Sequence, residues 1–100
     1  MAVVDEIAEQ VLDVVDQIPP GRVLSYGDIA EWVGAPSPRL VGQVMHRYGG
    51  GVPWHRVVMA DGRPAPHVAG EQLARLLADG TPLVRDGSRV DMRRARWDGG

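Results

Sequence analysis

The densest run of chemically capable side chains is Pro53-Trp54-His55-Arg56, which leads into Val57-Val58. A histidine beside a nucleophile would make such a string catalytic. Here the neighbour of His55 is Trp54, whose indole nitrogen commits its lone pair to the aromatic system and can only donate a hydrogen bond. No cysteine occurs among the 100 residues, which excludes disulfides, thiolate chemistry and cysteine-ligated zinc. Ser25 and Ser37 stand just ahead of helical periodicity and are better used as caps than as nucleophiles. An enzyme with a non-cysteine nucleophile is therefore the least favoured reading. His46, His55 and His67 fit no common metal-ligand spacing and fall on different predicted elements, so neither a metal nor another cofactor is expected.

Tyr26 and Arg39 carry chemistry of a different kind. Arg39, at a predicted helix start, is placed to enter a groove or a base stack, although a lone arginine is ordinarily a solvated surface residue. Tyr26 is ordinarily a core ring with its hydroxyl at the surface; its functional reading is a ring pressing on a phosphate. The residues alone leave both open. The net charge of −2 argues against a non-specific nucleic-acid binder, yet the charge is segregated. Five acids and no base lie in residues 1–21, whereas five arginines from Arg22 to Arg63 face only Asp28, Glu31 and Asp61. Arg89, Arg93, Arg94 and Arg96 form a second basic group.

The elements that must position these residues follow from period and punctuation. Val4, Ile7, Val11, Val14, Val15 and Ile18 recur at helical spacing and predict an amphipathic helix over residues 2–17, stopped by Pro19-Pro20-Gly21. Ser25 followed by Asp28 has the form of a capping box and predicts a second helix from Tyr26 to Val33, ended by Gly34. Ser37-Pro38 supplies a cap and a first-turn proline for a third helix running to about Tyr48. Val41, Val44 and Met45 form its apolar stripe; Arg39, Gln43, His46 and Arg47 fall on its free face. The pair is a helix-turn-helix candidate, and Gly42 would let its backbone approach another surface. After a flexible Gly49-Gly50-Gly51 loop, residues 52–59 read as a strand ending in an Asp61-Gly62 turn. Leu73, Leu76 and Leu77 predict a helix from Gly70 to Asp79, and Leu83-Val84 with Val90-Met92 predict a hairpin or wing about Asp86-Gly87.

The string Pro53-Trp54-His55-Arg56-Val57 resembles the active-site segment of the O6-alkylguanine-DNA alkyltransferases, which read Pro-Cys-His-Arg-Val. Residues 20–30, Pro-Gly-Arg-Val-Leu-Ser-Tyr-Gly-Asp-Ile-Ala, and Arg39 to Met45 match that family's helix-turn-helix in order and spacing. With tryptophan in the cysteine position the chain is similar to the alkyltransferase-like proteins, the non-catalytic relatives of those enzymes. The resemblance implies that Arg39 is the finger that replaces an extruded nucleotide, that Tyr26 rotates the neighbouring phosphate, and that the third helix docks in the minor groove. It implies a lesion pocket of Trp54, Tyr26, Pro53, His55, Arg56 and Val68, and DNA contacts from Tyr26, Arg39, Gly42, Gln43, Arg47 and Arg63. His67 is a further rim candidate, and Asp79 is the acid expected to hold the now structural His55.

The chain departs from the alkyltransferases around the pocket. Pro66-His67-Val68-Ala69-Gly70 replaces their Asn-Tyr-Ser-Gly-Gly stretch and three glycines shorten the run before Pro53, which suggests a more permissive cavity. Their additional N-terminal domain is also expected to be missing. The expected fold is mainly α with a small β component, a winged helix-turn-helix domain like the C-terminal domain of those enzymes. Residues 1–100 are expected to form one domain with a mobile tail over 93–100. The expected function is lesion recognition without alkyl transfer: a monomer binds O6-alkylguanine in double-stranded DNA, flips the nucleotide, and flags it for nucleotide excision repair proteins. The competing reading is a helix-turn-helix transcription regulator. No apolar run is long enough for a membrane span, and a cytoplasmic, nucleoid-associated location is expected.

Overall fold

The computed structural model describes the backbone of residues 2–100 and the side chains from Glu6 onward; Val4, assigned above to the apolar stripe, lies outside the described side chains. Helix α1 (Ala2–Gln17) buries Val11 and Val15 completely, and Ile18 follows them into the core before Pro19 ends the helical run. Strand β1 is only Leu24–Ser25, and helix α2 (Tyr26–Val33) starts directly from it. The Ser25 hydroxyl accepts from the Asp28 amide at 3.0 Å, while the Asp28 carboxylate accepts from the Ser25 amide at 3.0 Å. Gly34 closes α2 in the left-handed conformation, φ 71°, which a side chain would resist. Helix α3 (Pro38–Tyr48) is capped by the Ser37 hydroxyl and has proline in its first turn.

Strand β2 (Val57–Val58) pairs in parallel with β1, Leu24 against Val57 and Ser25 against Val58. Parallel neighbours need a long crossover, and α2 and α3 are that crossover. One core lies among α1, α2, α3 and the strands, with Leu24, Ile29, Val41 and Val57 each at most 1% exposed. Each such side chain contributes roughly 1.5–3 kcal/mol by leaving water. A second, smaller cluster joins Val23, Val58, Leu76, Val90 and Ala95. It fastens helix α4 (Ala69–Ala78) and the short helix α5 (Met92–Ala95) to the other side of the strands. The architecture is thus mainly helical with a two-stranded sheet. Among the described residues, no helix is long and apolar enough to cross a membrane.

Three expectations are corrected. The segment 52–59 is not a continuous strand: Trp54–Arg56 form a 3-10 turn, closed by the Arg56 amide on the Pro53 carbonyl at 3.0 Å, and only Val57–Val58 form a strand. The turn puts His55 and Arg56 on the same acid, Asp79, whereas in a strand consecutive side chains would point to opposite faces. On α4 the inward face is Gln72 and Leu76, and Leu77 is 67% exposed. The wing is a loop with a single antiparallel bridge, Leu83 to Val90, rather than a ladder. Within residues 93–100, Ala95 is fully buried, the Trp97 amide donates to the Val23 carbonyl at 2.8 Å and the Trp97 ring lies 5.4 Å from that of Trp32, while the other residues there are exposed. The expected Asp61-Gly62 turn is present, with the Gly62 amide on the Met59 carbonyl. Gly62 has φ 92°, and a Cβ there would fall 2.2 Å from the Val90 carbonyl oxygen, so only glycine fits under the wing.

Candidate functional site

The buried stripe of α3, Val41 and Val44, turns Arg39, Gln43, His46 and Arg47 outward. Tyr26, Arg39, Gly42, Gln43 and Arg47 share one open groove of about 930 Å³ along this face. Helical period already groups Arg39, Gln43 and Arg47, and the fold adds Tyr26 from α2 to the same surface. Gly42 presents bare backbone there, since a Cβ would meet nothing within 4 Å.

Adjoining the groove is a cavity of about 240 Å³, lined in part by Tyr26, Gly42, Met45, Trp54, Val68 and Gln72. His46, Ala65 and His67 border both spaces, so the cavity opens onto the groove. Tyr26 stands at this opening, half-buried, and burial pushes its hydroxyl above the usual 10.0. It is therefore a neutral donor at physiological pH. Trp54 supplies an aromatic wall; the Arg75 guanidinium rests 5.3 Å from its ring centroid, and His55 meets it edge-on at 6.3 Å.

The backbone of the Trp54 segment is held from two sides. Gln72, 1% exposed, donates to the carbonyls of His55 at 3.1 Å and Val57 at 2.7 Å, and accepts from the Ala65 amide at 2.8 Å. One side chain therefore ties the turn, β2 and the loop before α4 together. On the other side Asp79 accepts from Arg56 through both oxygens, Nε at 2.8 Å and Nη2 at 3.2 Å, and pairs with His55 Nε2 at 2.8 Å. Arg56 Nη1 also donates to the Ile18 carbonyl at 2.9 Å, which anchors the end of α1 to the same knot. The Arg56 hydrogen bond holds the Asp79 carboxyl below its ordinary range against the opposing effect of burial, and His55 adds to the lowering. His55 Nδ1 is buried and has no partner among the described residues.

Of the residues expected in the lesion pocket, Trp54, Tyr26 and Val68 line the cavity; Pro53, His55 and Arg56 do not. His55 and Arg56 are drawn off by Asp79 behind Trp54, and Pro53 caps the 3-10 turn. Arg63 lies outside the groove, ion-paired to Asp61 at 3.3 Å on the exposed turn. Met45 and Gln72 are cavity residues that the sequence did not nominate, whereas Gly49 and Gly50 belong to the three-glycine run expected around the pocket. A polar Gln72 four residues before Leu76 on the buried face was the available signal, because buried amides are retained where they satisfy backbone groups. Among the described residues no group of histidines and acids is placed to hold a metal ion.

Residues 6–80 match the model of the 6-O-methylguanine DNA methyltransferase DNA-binding domain. The DNA base-flipping protein of Escherichia coli strain K12 is 38% identical over 101 residues, an alignment covering 94% of this chain and 76% of that protein. Alkyltransferase-like protein 1 of Schizosaccharomyces pombe is 48% identical over 61 residues, covering 58% of this chain and 56% of its own length. The crystal structure of S. pombe Atl1 in complex with damaged DNA containing O6-carboxymethylguanine aligns with a TM-score of 0.79 at 34% identity, over 94% of this chain and 96% of that one. With a family model matched across most of its length and the Atl1 fold matched over 94% of the chain, the chain belongs to the 6-O-methylguanine DNA methyltransferase DNA-binding-domain family, as an alkyltransferase-like protein.

Proposed function

We propose that this protein recognises O6-alkylguanine in duplex DNA, flips the nucleotide into the cavity walled by Trp54, and holds it without alkyl transfer. The observation that carries the proposal is the cavity opening directly onto the groove of α3, with Tyr26 at the junction and Arg39 on the groove face. A major-groove regulator needs the helix but has no use for a base-sized cavity behind it. Extruding a base costs on the order of a few kcal/mol and requires both a wedge and a receptacle. Arg39 is the wedge, stacking its cation on the bases left behind, and α3 enters the minor groove to bring it there. Tyr26 donates to the displaced phosphate.

Trp54 stands where the alkyltransferases carry their acceptor cysteine, and its ring offers packing surface without a nucleophilic lone pair. The His55-Asp79 pair, which would activate a thiol, here braces the turn that carries Trp54. The bound complex then marks the site for nucleotide excision repair proteins, the protein acting as a monomer. Titration of matched duplexes carrying guanine or O6-methylguanine, at fixed salt because phosphate contacts make affinity salt-dependent, tests the reading. It predicts at least tenfold tighter binding to the lesion in any sequence context. Equal affinity, or preference for one fixed sequence, would favour a transcription regulator instead. Intact-mass measurement after incubation with alkylated DNA is expected to show an unmodified chain, and a mass increase would sink the claim of binding without transfer.

A further inference from the structure

The cavity of about 240 Å³ is smaller than the roughly 300–1,000 Å³ of ordinary small-molecule pockets. A guanine bearing a long substituent cannot be enclosed there whole, so the substituent must leave through a gap in the wall. Tyr26, Gly42, His46, Ala65 and His67 border both cavity and groove and form the mouth that faces DNA. Gly49 and Gly50 border the cavity alone. Gly49 is buried and Gly50 is exposed, so at Gly50 the cavity wall meets solvent away from the groove.

Neither residue has a positive φ, and the backbone there therefore does not call for glycine. At Gly49 a Cβ would lie 3.2 Å from Met45 Cε and 3.8 Å from Trp54 Cβ, which explains that glycine by crowding. At Gly50 a Cβ would meet nothing within 4 Å. Neither conformation nor crowding accounts for Gly50, and a side chain there would occupy open space at the exposed edge of the cavity.

We infer that Gly50 is a specificity-determining position, and that the gap beside it is the exit through which the distal end of a long apolar O6 substituent reaches solvent. The inference rests on the lesion-binding reading. A straight alkyl chain on O6 would pass the apolar inner wall of Met45, Trp54 and Val68 before emerging at Gly50. Length beyond that point then carries little cost, because the excess lies outside the cavity.

The test compares duplexes with guanine, O6-methylguanine and O6-octylguanine, bound to the wild-type chain, Gly50→Leu and Gly51→Leu. Gly51 neighbours the gap but does not line the cavity, and a Cβ there also meets open space. The expected result is that Gly50→Leu lowers the octyl-to-methyl affinity ratio at least tenfold, whereas Gly51→Leu leaves that ratio within twofold of wild type. Thermal melting of both variants confirms that the fold is retained. An unchanged ratio in Gly50→Leu, or an equal fall in Gly51→Leu, overturns the exit at Gly50 while leaving lesion recognition intact. Equal wild-type affinity for guanine and O6-methylguanine overturns the lesion reading and the exit together.

Discussion

Arg56 and Asp79 are joined by two hydrogen bonds across 23 residues of sequence, with both side chains about 15% exposed. The pair explains why the Pro-Trp-His-Arg string is not a strand. Arg56 turns toward Asp79 and leaves Trp54 as the residue of the string that lines the cavity. The same arginine reaches the Ile18 carbonyl, so a single guanidinium connects the end of α1, the 3-10 turn and the end of α4.

Asp79→Asn is expected to destabilise the protein by roughly 1.5–3 kcal/mol, the range for hydrogen bonds to charged groups, measured by urea unfolding. The pH dependence has a definite sign. Asp79 ionises below the ordinary 3.8 in the folded state, so its contribution is present above that value and is lost as pH falls through the folded pKa. Acid unfolding of the wild type should therefore steepen below about pH 4, and Asp79→Asn should lack that component. An unaltered acid profile in the variant would show that the pair adds nothing to folding.

Gln72→Leu conserves approximate volume but strands the Ala65 amide and the carbonyls of His55 and Val57. Each buried group left without a partner costs roughly 1–3 kcal/mol. The urea midpoint should fall with little change in slope. Lesion affinity should fall in parallel, because the turn carrying Trp54 loses one of its two supports. Full affinity at the wild-type midpoint would contradict this role.

Arg39→Ala should narrow the affinity ratio of O6-methylguanine to guanine duplexes at least tenfold. Arg94→Ala should leave that ratio near wild type, since Arg94 lies outside the groove and its carbonyl merely accepts from Arg22. Fluorescence anisotropy at several salt concentrations separates the two effects, as loss of a plain phosphate contact reduces the salt slope by about 1. The reverse ranking of the two variants would remove Arg39 from the wedge role.

Trp97→Ala removes the ring that packs on Trp32. Aromatic pairs contribute about 0.5–1.5 kcal/mol beyond area burial, so a loss of at least that size is expected in thermal unfolding. Lesion preference should be unaffected, because neither ring borders the groove or the cavity. A melting temperature equal to wild type would mean that the tail does not fasten to α2.

Helices α1, α2 and α3 were legible from sequence because their signals are local. The Ser25-Asp28 box, the Ser37-Pro38 start and Gly34 act within a few residues of where they stand. The separation of Val41 and Val44 from Arg39, Gln43 and Arg47 follows from helical period alone. The presence of Trp54 between Pro53 and His55 is also a fact of sequence, as is the lack of any cysteine.

Tertiary structure decided everything that depended on distant partners. Residues 52–59 carry strand propensity, but pairing with Leu24–Ser25 extends only to Val57–Val58, and Asp79 imposes a turn on the rest. Leu77 and Gln72 exchange the positions that hydrophobicity assigns them, because three backbone groups from two other segments need the amide more than the core needs another leucine. The cavity is likewise a product of packing: Tyr26, Met45, Trp54 and Gln72 come from four separate segments. Hydrogen-bond satisfaction and the void left between packed elements are properties of the assembled chain. A local pattern specifies which helices form, and only their meeting specifies the space that they enclose.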